Sequence, residues 1–131
     1  METDASNQAI ANILSQYHIV NGAKQLHPVE YHGRTLSAAQ RNWHMHDKEL
    51  FAIVDSLRNW RDWLAGVEVN VCTDHQGLQY YNTKRQLNSR QASWYLHMSE
   101  FCYNIHYRPG TKMGKADGLT RRSGEEKSGM D

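Results

Sequence analysis

From Ser37 to Leu64 the chain contains neither glycine nor proline, and its apolar residues recur at helical spacing. Leu50, Ile53, Val54, Leu57 and Leu64 fall on one face at ~100° per residue, with Trp43 and Trp60 flanking it. Ser37 and Gln40 occupy the N-cap and N3 positions of a capping box, which marks the start. The pattern predicts one long helix over 37–64, whose apolar stripe the rest of the chain must cover. Glu49 lies roughly 80° from the centre of that stripe. It sits on the edge, where a side chain reaches past the core without being sealed into it.

The segments on either side supply a sheet. Residues 2–6, 8–17 and 26–34 read as strands, separated by turn-prone Ser6–Asn7 and by the stretch 21–25 with its Asn-Gly pair. Pro28 suits the start or edge of a strand, not the centre. After Ala65–Gly66, VEVNVCTD alternates, with Val67, Val69, Val71 and Thr73 on one face and Asp74 at the strand end. Helices are expected at 75–81 and 89–100, joined by a polar connection holding Lys84 and Arg85. Phe101, Tyr103, Ile105 and Tyr107 alternate as a fifth strand. A basic loop, RPGTKMGK, leads into a short helix begun by ADGLTRR. Three strands joined by short turns suit an antiparallel meander, and strand–long helix–strand suits a right-handed parallel crossover. The expected fold class is α/β: a mixed five-stranded sheet, first three strands antiparallel, flanked by helices.

A hydrophobic content of 39% and a charged content of 22% fit a soluble globular domain rather than a disordered chain. No apolar run is long enough to cross a bilayer, and no secretion-signal pattern opens the chain. Cys72 and Cys102 lack CxxC spacing and read as buried free thiols in a reducing compartment. Residues 1–74 hold six Lys/Arg against nine Asp/Glu, and residues 75–131 hold nine against five. That split suits a metal-binding acid cluster beside a phosphate-binding surface. His44 and His46 stand two apart on a helix and do not share a face, which argues against zinc. Trp43, Trp60, Trp63 and Trp94 read as core.

In the expected sheet the first strand pairs with the strand after the crossover helix. Asp4 and Asp74 then become neighbours at one end of the sheet, Glu49 points in from the helix, and Asp117 closes the group. Two unit charges ~4 Å apart repel by about 4 kcal/mol at an effective dielectric of about 20. Four carboxylates together therefore require protons or cations. Oxygen-only donors suit Mg²⁺ or Mn²⁺, and two such ions suit in-line displacement at a phosphodiester.

ETDAS, KELFAIVDSLRNWRDWLAG, VCTDHQGLQYY, NSRQASWYLHMSEF and YRPGTKMGKADGLTRR occur in this order over residues 2–122. Together they resemble the ribonuclease H domain of gypsy-type LTR retrotransposon reverse transcriptases. The resemblance implies a ribonuclease H-like fold over residues 1–121, with a shortened first strand; residues 122–131, low in apolar side chains, are expected to be a disordered tail. It implies endonucleolytic cleavage of the RNA strand of RNA/DNA hybrids with two Mg²⁺ ions, for which Mn²⁺ substitutes. Asp4, Glu49, Asp74 and Asp117 would be the catalytic, metal-binding acids, Asp4 bridging the ions. It further implies an adjoining polymerase domain and an intracellular setting, in a cytoplasmic virus-like particle or the nucleus.

The chain departs from the family pattern in three places. Only Met1, Glu2 and Thr3 precede Asp4, Met113 and Gly118 stand where Asn and Ala are usual, and no histidine follows His106. Beside the acids, Ser6, Asn7, His46 and Gln76 are expected to contact the ribose or its 2′-hydroxyl. Arg90 and Lys112, with Lys84, Arg85, Arg108 and Lys115, are expected to track phosphates. The rival expectations are a non-catalytic nucleic-acid-binding or scaffold module that keeps the fold, and a same-fold nuclease acting on DNA.

Overall fold

A computed structural model describes residues 1–76, 78 and 87–109. Strands β1 (Glu2–Ala5), β2 (Ala9–Val20), β3 (Ala23–Thr35), β4 (Glu68–Thr73) and β5 (Cys102–Tyr107) form one sheet in the order β3-β2-β1-β4-β5. β1, β2 and β3 are antiparallel neighbours, while β4 runs parallel to both β1 and β5. This is the expected mixed sheet, with the meander on one side and the crossover on the other.

Ser6 shapes the first turn: its hydroxyl accepts the Ala9 and Gln8 amides at 3.1 and 3.3 Å. Asn21 and Gly22 both have positive φ, 52° and 79°, as a two-residue primed hairpin turn requires. Pairing therefore runs right up to the turn, and β2 and β3 are longer than the 8–17 and 26–34 read from their patterns. Pro28 lies on the edge strand β3, beside a bulge where the register shifts between Leu14 and Ser15. A proline, which has no N–H to donate, is tolerated at such a place.

The predicted helix over 37–64 is three segments, α1 (Ala38–Arg41), α2 (Met45–Asn59) and α3 (Arg61–Leu64). The Ser37–Gln40 capping box is present, but α1 buries no residue. Nothing holds it on the axis of α2. The chain leaves the helix at Asn42 and lays Trp43 edge-on against Phe51 and Trp94, each 5.5 Å away. At the other end Trp60, with φ −107° and ψ 25°, separates α2 from α3. Trp60 and Trp94 are buried and Trp43 partly so, but Trp63 is 55% exposed and does not belong to the core.

α2 is buried from Asp47 through Leu57, because it lies between β1 and β2 on one side and α4 (Ser89–Met98) on the other. Leu50, Ile53, Val54 and Leu57 pack with Ile10, Leu14, Val69, Val71, Trp94 and Met98. The stripe predicted from periodicity is thus the centre of the core. Polar residues of α2 are sealed in with it and need partners. Asp55 takes His32 Nε2 at 2.7 Å and Arg34 Nη2 at 3.3 Å, tying α2 to β3. Asp47 takes Arg90 Nη1 at 3.0 Å and Gln91 Nε2 at 2.9 Å, tying α2 to the start of α4. Asn88 and Gln91 cap α4 reciprocally. Cys72 is buried as expected, while Cys102, on the sheet edge, is exposed. Most of the helix expected at 75–81 lies outside the described residues, as do Lys84, Arg85, the helix begun by ADGLTRR, and residues 122–131.

Candidate metal centre

β1 is only four residues long but sits at the middle of the sheet, between β2 and β4. In its parallel pairing with β4, Glu2 stands opposite Cys72. Two residues further along each strand, the same register brings Asp4 level with Asp74. Glu49, in the second turn of α2, reaches the same place from above. Asp4, Glu49 and Asp74 each offer a carboxylate oxygen, and these oxygens lie within 4.8 Å of one another. Asp117 lies outside the described residues.

Asp4 is buried, Glu49 is 4% exposed and Asp74 is partly exposed, so the cluster has a closed floor and opens beside Asp74. Glu49 is therefore not the unsealed edge residue its helical angle predicts. Asp4 and Ala5 of β1 and Asp74 at the end of β4 stand against it, which no helical wheel registers. Burial pushes its carboxyl up to about 9, and the charges of Asp4 and Asp74 and a hydrogen bond with Asp74 push the same way. The Ala5 backbone N–H, donating to Glu49, pulls weakly in the opposite direction. One of its oxygens, Oε1, is buried with no hydrogen-bond partner among the described residues.

That combination is a test of fit for a cation. Three oxygen donors converge, one buried oxygen has no partner among the described residues, and the clustered carboxylates call for a proton or a cation. The set is hard, with no thiolate, and fits Mg²⁺ or Mn²⁺ better than a softer ion.

The neighbouring side chains divide into groups. His46 lies in the first turn of α2, its Nδ1 3.2 Å from Nε2 of His75 and the rings edge to face. Gln76 is exposed, one residue further on. Ser6 is occupied within its turn, and Asn7 is exposed with its carbonyl accepting from Lys48 Nζ at 3.3 Å. Arg90, bonded to Asp47, also lies 4.2 Å over the Trp43 ring, so it is engaged within the fold. Arg108 donates its backbone N–H to Thr73. Lys112 and Lys115 lie outside the described residues. Reading by spacing missed His75 and Lys48. Position beside Asp74 in TDH was a signal for His75. Lys48, buried on α2, had none, because its acceptor, the Asn7 carbonyl in the turn after β1, lies 41 residues away in sequence.

A family model described as the RNase H-like domain found in reverse transcriptase matches residues 1–101. This chain belongs to that family. The RNase H-like domain is 38% identical over 125 residues to the Transposon Tf2-3 polyprotein of Schizosaccharomyces pombe, and the match takes in 92% of the chain. It spans only 9% of that polyprotein's length.

Among solved structures, the domain resembles RNase H1 from the halophilic archaeon Halobacterium salinarum, with TM-score 0.61 and 15% identity. That match covers 91% of this chain and 94% of the other. It also resembles a foamy viral protease-reverse transcriptase solved in complex with RNA/DNA hybrid, with TM-score 0.58 and 14% identity. Here the match covers 83% of this chain and 15% of that one. At such identities the two structures establish the RNase H-like fold.

Proposed function

We propose that this RNase H-like domain is an endonuclease that hydrolyses the RNA strand of RNA/DNA hybrids, within the reverse transcriptase of a gypsy-type retroelement. The observation that carries this reading is the convergence of carboxylate oxygens of Asp4, Glu49 and Asp74 within 4.8 Å, with one buried oxygen of Glu49 lacking a partner among the described residues. Membership of a reverse-transcriptase family and the 38% identity to a transposon polyprotein support it. The likeness to a protein solved with an RNA/DNA hybrid supports the choice of substrate.

Asp4, Glu49 and Asp74, completed by Asp117, would hold two divalent ions, Mg²⁺ or Mn²⁺. Bound there, the ions supply Lewis-acid stabilisation of phosphate oxygens and a water nucleophile of lowered pKa. The protein's own work is orientation. β1 and α2 hold Asp4 and Glu49 on rigid elements, and the Ala5 amide fixes the Glu49 carboxyl. Lys48 pins the turn after β1 by its bond to the Asn7 carbonyl. Glu49 gives up its proton when it becomes a ligand. His46, Gln76 and Asn7, on the open side beside Asp74, contact the RNA sugar, whose 2′-hydroxyl distinguishes RNA from DNA. Because water is the nucleophile, no side chain becomes covalently attached to substrate. An adjoining polymerase domain delivers the hybrid.

The test uses labelled RNA/DNA hybrid, RNA duplex and DNA duplex, each with Mg²⁺ or EDTA, beside an Asp74→Asn variant. Cleavage confined to the hybrid, abolished by EDTA and by the substitution, is expected. Cleavage that survives EDTA or is unchanged in the variant overturns the metal-dependent reading. Hybrid binding without cleavage would instead make the domain a nucleic-acid-binding module.

A further inference from the structure

His44 and His46 cannot grip one ion, since positions two apart on a helix do not share a face. The fold gives His46 a different partner. His46 lies in the first turn of α2, and His75 follows the end of β4, 29 positions away in sequence. Their rings meet edge to face with centres 5.1 Å apart, and Nδ1 of His46 lies 3.2 Å from Nε2 of His75. Both residues are partly buried.

The approach is held from both sides. Next to His46, Asp47 is bonded to Arg90 and Gln91 of α4, and Lys48 donates to the Asn7 carbonyl, so the first turn of α2 is fixed. Across from it, the His75 backbone N–H donates to Thr73 Oγ1 at 3.2 Å, and the His75 carbonyl accepts the N–H of fully buried Leu78 at 3.1 Å. Anchored elements thus bring the two imidazoles together, and little freedom remains to be lost when they bind something in common.

Two neutral imidazoles that meet nitrogen to nitrogen can share either a proton or an ion, because each carries one N–H and one lone pair. The shared proton is the hydrogen bond between His46 and His75. An ion would instead take a lone pair from each ring. Bonds of ~2.0–2.1 Å at a tetrahedral Zn²⁺ set two donor nitrogens roughly 3.3 Å apart, close to the 3.2 Å between these two. A modest turn of each ring aims both lone pairs at one point. The ring protons then sit on His46 Nε2 and His75 Nδ1, a change of tautomer that releases no proton. Asp74 adjoins His75 and is partly exposed, so its carboxylate adds a field that favours a cation.

We propose that His46 and His75 form a second cation site, for Zn²⁺ or another transition ion that prefers imidazole, beside the carboxylate centre and chemically distinct from it. Imidazole suits Zn²⁺, Cu²⁺ and Ni²⁺, whereas Mg²⁺ takes oxygen donors. Two protein ligands leave the other coordination positions to water, so the ion exchanges freely and is not structural. It would sit on the side where the acid centre opens. The proposal does not depend on hybrid cleavage, and its readout needs none.

The test titrates the full chain, labelled with ¹⁵N in histidine, with Zn²⁺ at saturating Mg²⁺, and follows the ring nitrogens by NMR. Of the chain's eight histidines, only His46 and His75 are expected to respond, at Nδ1 and Nε2 respectively. His46→Gln and His75→Gln should each weaken Zn²⁺ binding by at least the roughly tenfold that loss of even an outer-shell partner costs a metal site. His44→Gln should leave it unchanged. Zn²⁺ that perturbs neither ring, or that binds equally well to both histidine variants, overturns the proposal. Binding lost in Asp74→Asn but kept in both histidine variants puts the ion in the carboxylate centre and overturns it as well. The parent titration decides the matter even if a variant fails to fold.

Discussion

Glu49 donates a hydrogen bond to Asp74, although both are acids, because burial and two neighbouring carboxylates keep a proton on Glu49 up to about pH 9. The proton takes the place that a cation would neutralise. On the proposed function, protonation of Glu49 and metal binding would compete at this centre.

The first prediction concerns stability without metal. The Glu49 carboxyl is raised from 4.5 to about 9 on folding. Below the lower value both states bind the proton, and between the two values only the folded state does. Stability in EDTA should therefore fall as pH rises through that window and level off above it. Thermal unfolding at pH 5, 7 and 9 measures this. A Glu49→Gln variant should have a flatter profile and exceed the parent at pH 9. Parallel profiles would place the proton elsewhere.

On the proposed function Mg²⁺ or Mn²⁺ would displace that proton, so binding should tighten as pH rises towards 9, by up to about tenfold per pH unit for one proton released. Calorimetry in buffers of different ionisation enthalpy reads both the affinity and the proton. Metal at about a hundred times its dissociation constant should stabilise the fold by about 2.7 kcal/mol. Asp4→Asn and Asp74→Asn should lose most of this gain. An affinity that does not change with pH would contradict the scheme.

Asp55 holds α2 against β3 through His32 and Arg34. Asp55→Ala removes a buried acceptor and strands His32 beside Trp60, whose ring centre is 5.9 Å away. The expected loss is about 3 kcal/mol in urea unfolding. Arg34→Ala, at a side chain half exposed to solvent, should cost much less.

Thr3 and Asn12 face each other across β1 and β2, both fully buried. The Thr3 hydroxyl and both ends of the Asn12 amide lack partners among the described residues. Replacing the pair together, Thr3→Val with Asn12→Leu, should raise stability by about 1–3 kcal/mol, since no hydrogen bond is lost and the desolvation cost is removed. A fall in stability would show that ordered water satisfies the pair.

The strands, the Asn21–Gly22 turn, the helical stripe centred on Leu50 to Leu57 and the edge position of Pro28 were legible in the sequence. Each is dictated by residues a few positions apart, through alternation, helical period or the φ a turn demands. The parallel pairing that makes neighbours of Asp4 and Asp74 followed from the order of elements. The breaks at Asn42–His44 and Trp60 were not legible. Both are set by tryptophans whose packing partners lie across the fold, not along the helix.

The sequence alone determined which acids are candidates for the chemistry and which elements carry Asp4, Glu49 and Asp74, because residue type and local period are properties of short segments. Tertiary structure decided their state. It sealed Glu49 and gave it a proton, buried Lys48 beside a turn, set His75 against His46, and bound Arg90 to Asp47. Burial and pairing depend on what stands opposite a side chain in space, and that neighbour comes from another part of the chain.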